Sequence, residues 1–88
     1  MASEDGDAMS TLSEVVLETI AFLELSGDDV IDPDAAVTML ESIAADLQRL
    51  TSAQRVEFLA VATRLADATQ DARRRELFEG VAESLGLA

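Results

Sequence analysis

The chain of 88 residues has no cysteine, histidine, lysine, tryptophan, tyrosine or asparagine. Each absence closes off some chemistry. Without cysteine there is no disulfide, no thiolate nucleophile and no zinc knuckle. Without histidine there is no imidazole base and no imidazole metal ligand. A serine or threonine hydroxyl therefore has no His, Lys or Tyr beside it to take its proton. Aromatic residues amount to three phenylalanines, and Pro33 is the single proline. No stretch approaches the roughly 20 apolar residues of a membrane span. The first ten residues carry Glu4, Asp5 and Asp7 and no basic residue, whereas a signal peptide opens with positive charge and an apolar run. The expected location is the cytoplasm.

What remains is hydrophobic and acidic. Hydrophobic residues make up 49% of the chain, enough for a packed core. A domain of this size buries only about 60–65% of the surface its unfolded chain exposes, so the expected stability is on the order of 5 kcal/mol. Eighteen acidic residues face six basic ones, all arginine, for a net charge of -12. The imbalance is local. Residues 1–34 hold ten acids and no basic residue, whereas residues 35–88 hold eight acids and all six arginines. Such a field repels nucleic acid and anionic lipid and attracts a basic surface.

The hydrophobic spacing predicts an all-α fold, a small four-helix bundle with helices over about 12–26, 33–50, 52–68 and 71–86, preceded by a flexible acidic tail over 1–10. In the first helix Thr11 and Glu14 have the spacing of a capping box. Leu12, Val15, Val16, Thr19, Ile20, Phe22 and Leu23 share an arc of roughly 160°, read as the inner face. Gly27 is placed to end that helix. The second helix carries the clearest start signal, with Asp32 as N-cap, Pro33 in the first position and Asp34 in the first turn. Its expected inner face is Ala36, Val37, Met39, Leu40, Ile43, Ala44, Leu47 and Leu50. Thr51 and Gln54 predict the start of the third helix. That helix is apolar around most of its circumference, with Val56, Leu59 and Thr63 on one side and Phe58, Val61, Ala62 and Leu65 on another. The second set reads either as the buried centre of the bundle or as a self-association surface. The fourth helix is expected to start at Asp71 and end at Gly86, and a continuous helix through Ala68–Gln70 is the alternative.

Few constellations suit catalysis. Acid–base work by paired carboxylates needs one of them buried, and the acids here fall on polar faces and loops. No catalytic residue, cofactor or metal is expected. Asp28, Asp29, Asp32 and Asp34 crowd one connection, but no register fits a calcium loop, because from Asp28 the sixth position is Pro33 where a glycine is required. A di-metal helical bundle needs a Glu-x-x-His element that this composition lacks. Arg73, Arg74 and Arg75 open the fourth helix, opposite to what the helix dipole favours. Pairing with Glu79 or with another helix or subunit is expected to hold them there.

The strongest functional signal is the run Glu14, Glu18, Glu24, Asp28, Asp29, Asp32 and Asp34, seven carboxylates in 21 residues without a basic residue among them. Their mutual repulsion would be relieved by a basic protein partner, with fast and salt-sensitive association. In size, acidity and helix content the chain resembles bacterial immunity proteins that neutralise nuclease toxins, and acidic inhibitors that mimic DNA. The resemblance implies a non-enzymatic inhibitor and rests on no motif. The alternative is a homodimeric structural or adaptor domain that uses Phe58, Val61, Ala62 and Leu65, with acidity serving only solubility. The chain is also similar to acyl carrier proteins in size and charge. There the string Glu83-Ser84-Leu85 would stand for the Asp-Ser-Leu attachment motif, although no helix is predicted after it.

Overall fold

The structure, a computed structural model, describes residues 3–87, with side chains from Ala8 onward. The protein is all-helical, with α1 (Ser3–Leu25), α2 (Pro33–Leu47), α3 (Ser52–Ala68), α4 (Ala72–Glu79) and the single turn α5 (Val81–Ser84). Three helix starts are fixed by the expected caps. The Asp32 carboxylate accepts the amide of Ala35 at 3.0 Å, with Pro33 in the first turn of α2. The Thr51 hydroxyl accepts the amide of Gln54 at 3.1 Å, and the Gln54 side chain accepts the amide of Thr51 at 2.9 Å. The Asp71 carboxylate accepts the amides of Arg73 and Arg74 at 2.8 and 3.2 Å, so α3 and α4 are separate helices. Each cap satisfies donors that a helix N-terminus otherwise leaves without a partner.

α1 departs most from expectation. It reaches back to Ser3, so the segment expected as a tail is helical over Ser3–Ser10, and Met9 packs against the core. Met1 and Ala2 lie outside the described residues. Thr11 and Glu14 are therefore interior positions and form no cap. The buried stripe of α1 is Ser13, Leu17, Ile20 and Ala21, with Leu23 near the end. Of the expected inner face, Leu12, Val15 and Phe22 are instead 62%, 58% and 54% exposed. At 100° per residue the helix is turned by about 100° from the sequence reading. The physical reason is that α1 is apolar over well more than half its circumference. The side chosen for the core is the one carrying small residues. Ser13 and Ala21 on α1, and Ala62 and Ala66 on α3, are all buried, and small side chains let helix axes approach closely. The cost is one polar atom, the Ser13 hydroxyl, which is buried without a hydrogen-bond partner.

The core lies where α1, α3 and α4 meet. Phe58 and Phe78 occupy its centre with Leu17, Ile20 and Val81. Among the helices α2 approaches only α1; it enters the core through Leu47, with Leu40, Ile43 and Ala44 packed half-buried against it. Val37 and Met39, expected inside, are exposed on opposite flanks of α2. α2 ends at Leu47 rather than near residue 50, and Gln48 turns the chain. The fourth predicted helix is divided at Gly80, a residue that disfavours helix by about 1 kcal/mol relative to alanine. The division lets α5 swing Val81 and Leu85 into the core. The end of the chain is clasped to the α2–α3 turn. The Gln48 side-chain amide donates to the carbonyls of Leu85 and Gly86 at 2.7 and 3.3 Å, and Arg55 donates to the Gln48 carbonyl at 2.8 Å. Gly86 makes the turn with φ of 70°, a conformation costly for any side chain. Among the described residues no helix is long and apolar enough to cross a membrane.

Candidate functional site

The seven acids of the expected partner surface fall into three groups. Glu14 and Glu18 sit mid-helix on the side of α1 that faces α3 and α4, and both are paired. Arg64 of α3 approaches Glu14 at 3.7 Å, and Arg74 of α4 donates to Glu18 at 2.7 Å. Arg74 also lies over the Phe78 ring, 5.1 Å from its centroid, which orients the guanidinium against an apolar wall. Each of these two acids thus has a cation beside it within the chain, Glu18 in a hydrogen-bonded pair and Glu14 in a looser, exposed one. Asp32 is committed to the cap of α2.

Glu24, Asp28, Asp29 and Asp34 form the third group. They cluster where α1 ends and α2 begins, all are exposed, and none makes an ion pair among the described residues. The turn is closed by the amides of Val30 and Ile31, which donate to the Gly27 carbonyl at 2.9 and 3.2 Å. A Cβ at Gly27 would stand 2.8 Å from Asp29 Oδ1, so a larger residue there would turn the exposed Asp29 side chain aside. The last turn of α1 contains no basic residue, so the negative end of the helix dipole adds to the charge of Glu24 and Asp28.

Between these helix ends lies a cleft of ≈ 340 Å³. Its apolar lining includes Leu23, Ile31, Ala36 and Val37, Glu24 and Asp28 also line it, and none of its lining residues is basic. Leu23 and Ala36 are buried yet stand apart from the main core. On the other flank of the α1–α2 pair is a second, shallow groove of ≈ 250 Å³, where Val15 and Thr19 face Met39 and Ile43. Among the described residues no three carboxylates converge as a metal ion would require.

The expected self-association surface is corrected. Phe58, Val61 and Ala62 are buried in the chain's own core, Phe58 being 1% exposed, and Leu65 is half-buried against the same cluster. They are spent on the chain's own core, and only Leu65 keeps a partly open side. Exposed apolar residues are spread over Val30, Val37, Met39 and Val56 as well as α1, but only on α1 do they form a row. Leu12, Val15, Thr19 and Phe22 follow one another at spacings of three, four and three, a straight seam along the helix. The spacing is visible in the sequence, where it reads as a core face. Of the arginine run, Arg74 reaches Glu18, Arg75 donates to the Thr69 carbonyl at 2.8 Å, and no Arg75–Glu79 pair forms. Ser84 lies in α5 with its hydroxyl 3.4 Å from the Val81 carbonyl.

Comparison with protein families, with curated proteins and with solved structures finds no match to this chain.

Proposed function

We propose that the protein is a non-enzymatic, cytoplasmic binding protein that engages a basic protein partner through the junction of α1 and α2. Its most concrete form is an immunity-type or DNA-mimicking inhibitor. One observation carries this reading. The arginines neutralise the acids of α1 that face the bundle and leave Glu24, Asp28, Asp29 and Asp34 without a cation. Uncompensated charge on an ordered surface steers an oppositely charged partner and gives salt-sensitive association. The test is co-expression with the product of the adjacent gene, followed by gel filtration. A stoichiometric complex with a basic protein is expected, loosened by moderate salt and lost when Glu24, Asp28 and Asp29 are changed together to Arg. A complex indifferent to both salt and charge reversal overturns the reading.

The exposed seam of α1 favours a second reading, self-association through Leu12, Val15, Thr19 and Phe22. The neighbouring acids Glu14 and Glu18 are neutralised in the chain, so a second copy meets less repulsion here than at the α1–α2 junction. Burial of that seam would add apolar contact to a small core.

A further inference from the structure

The cleft at the α1–α2 junction combines two properties that seldom coincide on a surface. Its floor is apolar, formed by Leu23, Ile31, Ala36 and Val37, and Glu24 and Asp28 stand beside it at the negative end of α1. A metal ion would find oxygen ligands on one side only. An anionic headgroup would meet like charge. A second copy of this chain would bring a net charge of -12 to the contact. The complementary occupant is a long side chain with an apolar stem and a cationic head, which is how arginine and lysine cover apolar surface while keeping the charge at its edge.

The geometry points to a seat for one arginine or lysine side chain of a basic partner, its methylenes on Leu23, Ala36 and Val37 and its head at Glu24 and Asp28. This rests on the reading of the junction as the partner site and adds what that reading lacks, an anchor residue. The seat makes charge necessary but insufficient, because the stem must also be long enough to cover the floor.

The experiment uses the full chain and a nine-residue peptide of alanine and three arginines, titrated at low salt and followed by methyl NMR and by calorimetry. Saturable shifts are expected at the methyls of Leu23, Ala36 and Val37. A peptide of equal charge with each arginine shortened by two methylenes should bind about tenfold more weakly, from about 0.8 kcal/mol for each buried CH₂. Val37→Asp gives a discriminating sign. Val37 is 53% exposed, so the substitution leaves the fold in place. It adds an acid but removes apolar floor. The seat predicts weaker binding, whereas attraction by charge alone predicts equal or tighter binding. If the peptide binds with salt dependence but ignores stem length and Val37→Asp, the seat is overturned and the basic-partner reading stands. If the peptide does not bind at low salt, both fall.

Discussion

The middle of α1 and its carboxyl-terminal end carry the same kind of residue in different electrostatic surroundings. At the middle, Glu14 and Glu18 look across at Arg64 and Arg74, and the helix is held from two sides by α3 and α4. At the end, Glu24 and the acids after it look toward α2, whose residues Pro33–Leu47 contain no arginine. All six arginines come after α2 in sequence. Arg64 and Arg74 reach α1 from α3 and α4, and Arg49 reaches Asp46 at the end of α2. The difference shows that net charge alone does not say which acids are compensated within the chain.

The comparison breaks most readily at Phe58. Phe58→Ala removes a ring buried at the meeting point of α1, α3 and α4 and is expected to cost about 3–5 kcal/mol, most of the stability a chain of this size has. Urea unfolding followed by circular dichroism measures it. Val56→Ala, on the exposed side of the same helix, is the control and should stay within about 0.5 kcal/mol. Equal losses at the two positions would mean that the core is not where α1, α3 and α4 meet.

Three helix starts are legible in the sequence, whereas the start of α1 and the tertiary choices are not. Asp32 with Pro33, Thr51 with Gln54, and Asp71 each announce a helix start because the cap bonds to residues two or three places on. The face of α1 was not legible, since Leu12, Val15 and Phe22 compete with Leu17, Ile20 and Ala21 and amphipathicity alone does not decide between them. The decision rests on how closely α3 can approach, a property of two helices at once. Gly80 gives no sequence signal of a break, because one glycine inside a helical pattern is tolerated at a cost of about 1 kcal/mol. At the site, the identity of the acids was legible and their pairing was not. Glu18 and Arg74 are 56 residues apart in sequence, and no periodicity links them. Phe58, Val61, Ala62 and Leu65 were correctly seen as an apolar face, but whether such a face meets its own chain or another is settled only by packing.

A smaller effect sharpens the contrast at α2. Asp32→Ala removes the cap and is expected to cost about 1 kcal/mol. Because α2 approaches only α1 among the helices, the loss should appear first as faster amide exchange over the first half of α2, with α3 amides changed less. Uniform acceleration across α1, α2 and α3 would show that α2 is as tightly coupled to the core as the other helices, and that the two sides of the molecule do not differ in cooperativity.

The smallest stability effect is expected at Val15, and its value lies in a second readout. Val15→Glu places a charge on the exposed seam of α1, a site whose side chain is 58% accessible, so unfolding should shift by no more than about 0.5 kcal/mol. In a monomer nothing else changes. If the seam joins two copies, the wild-type chain sediments at twice its 9.4 kDa at high concentration, and Val15→Glu returns it to monomer by placing a charge where apolar contact is required. Phe58→Leu, a conservative change in the core, should leave such a dimer intact, because Phe58 faces inward. A wild-type chain that stays monomeric at high concentration removes the self-association reading. The open seam of α1 then belongs, with the α1–α2 cleft, to surface available for a different chain.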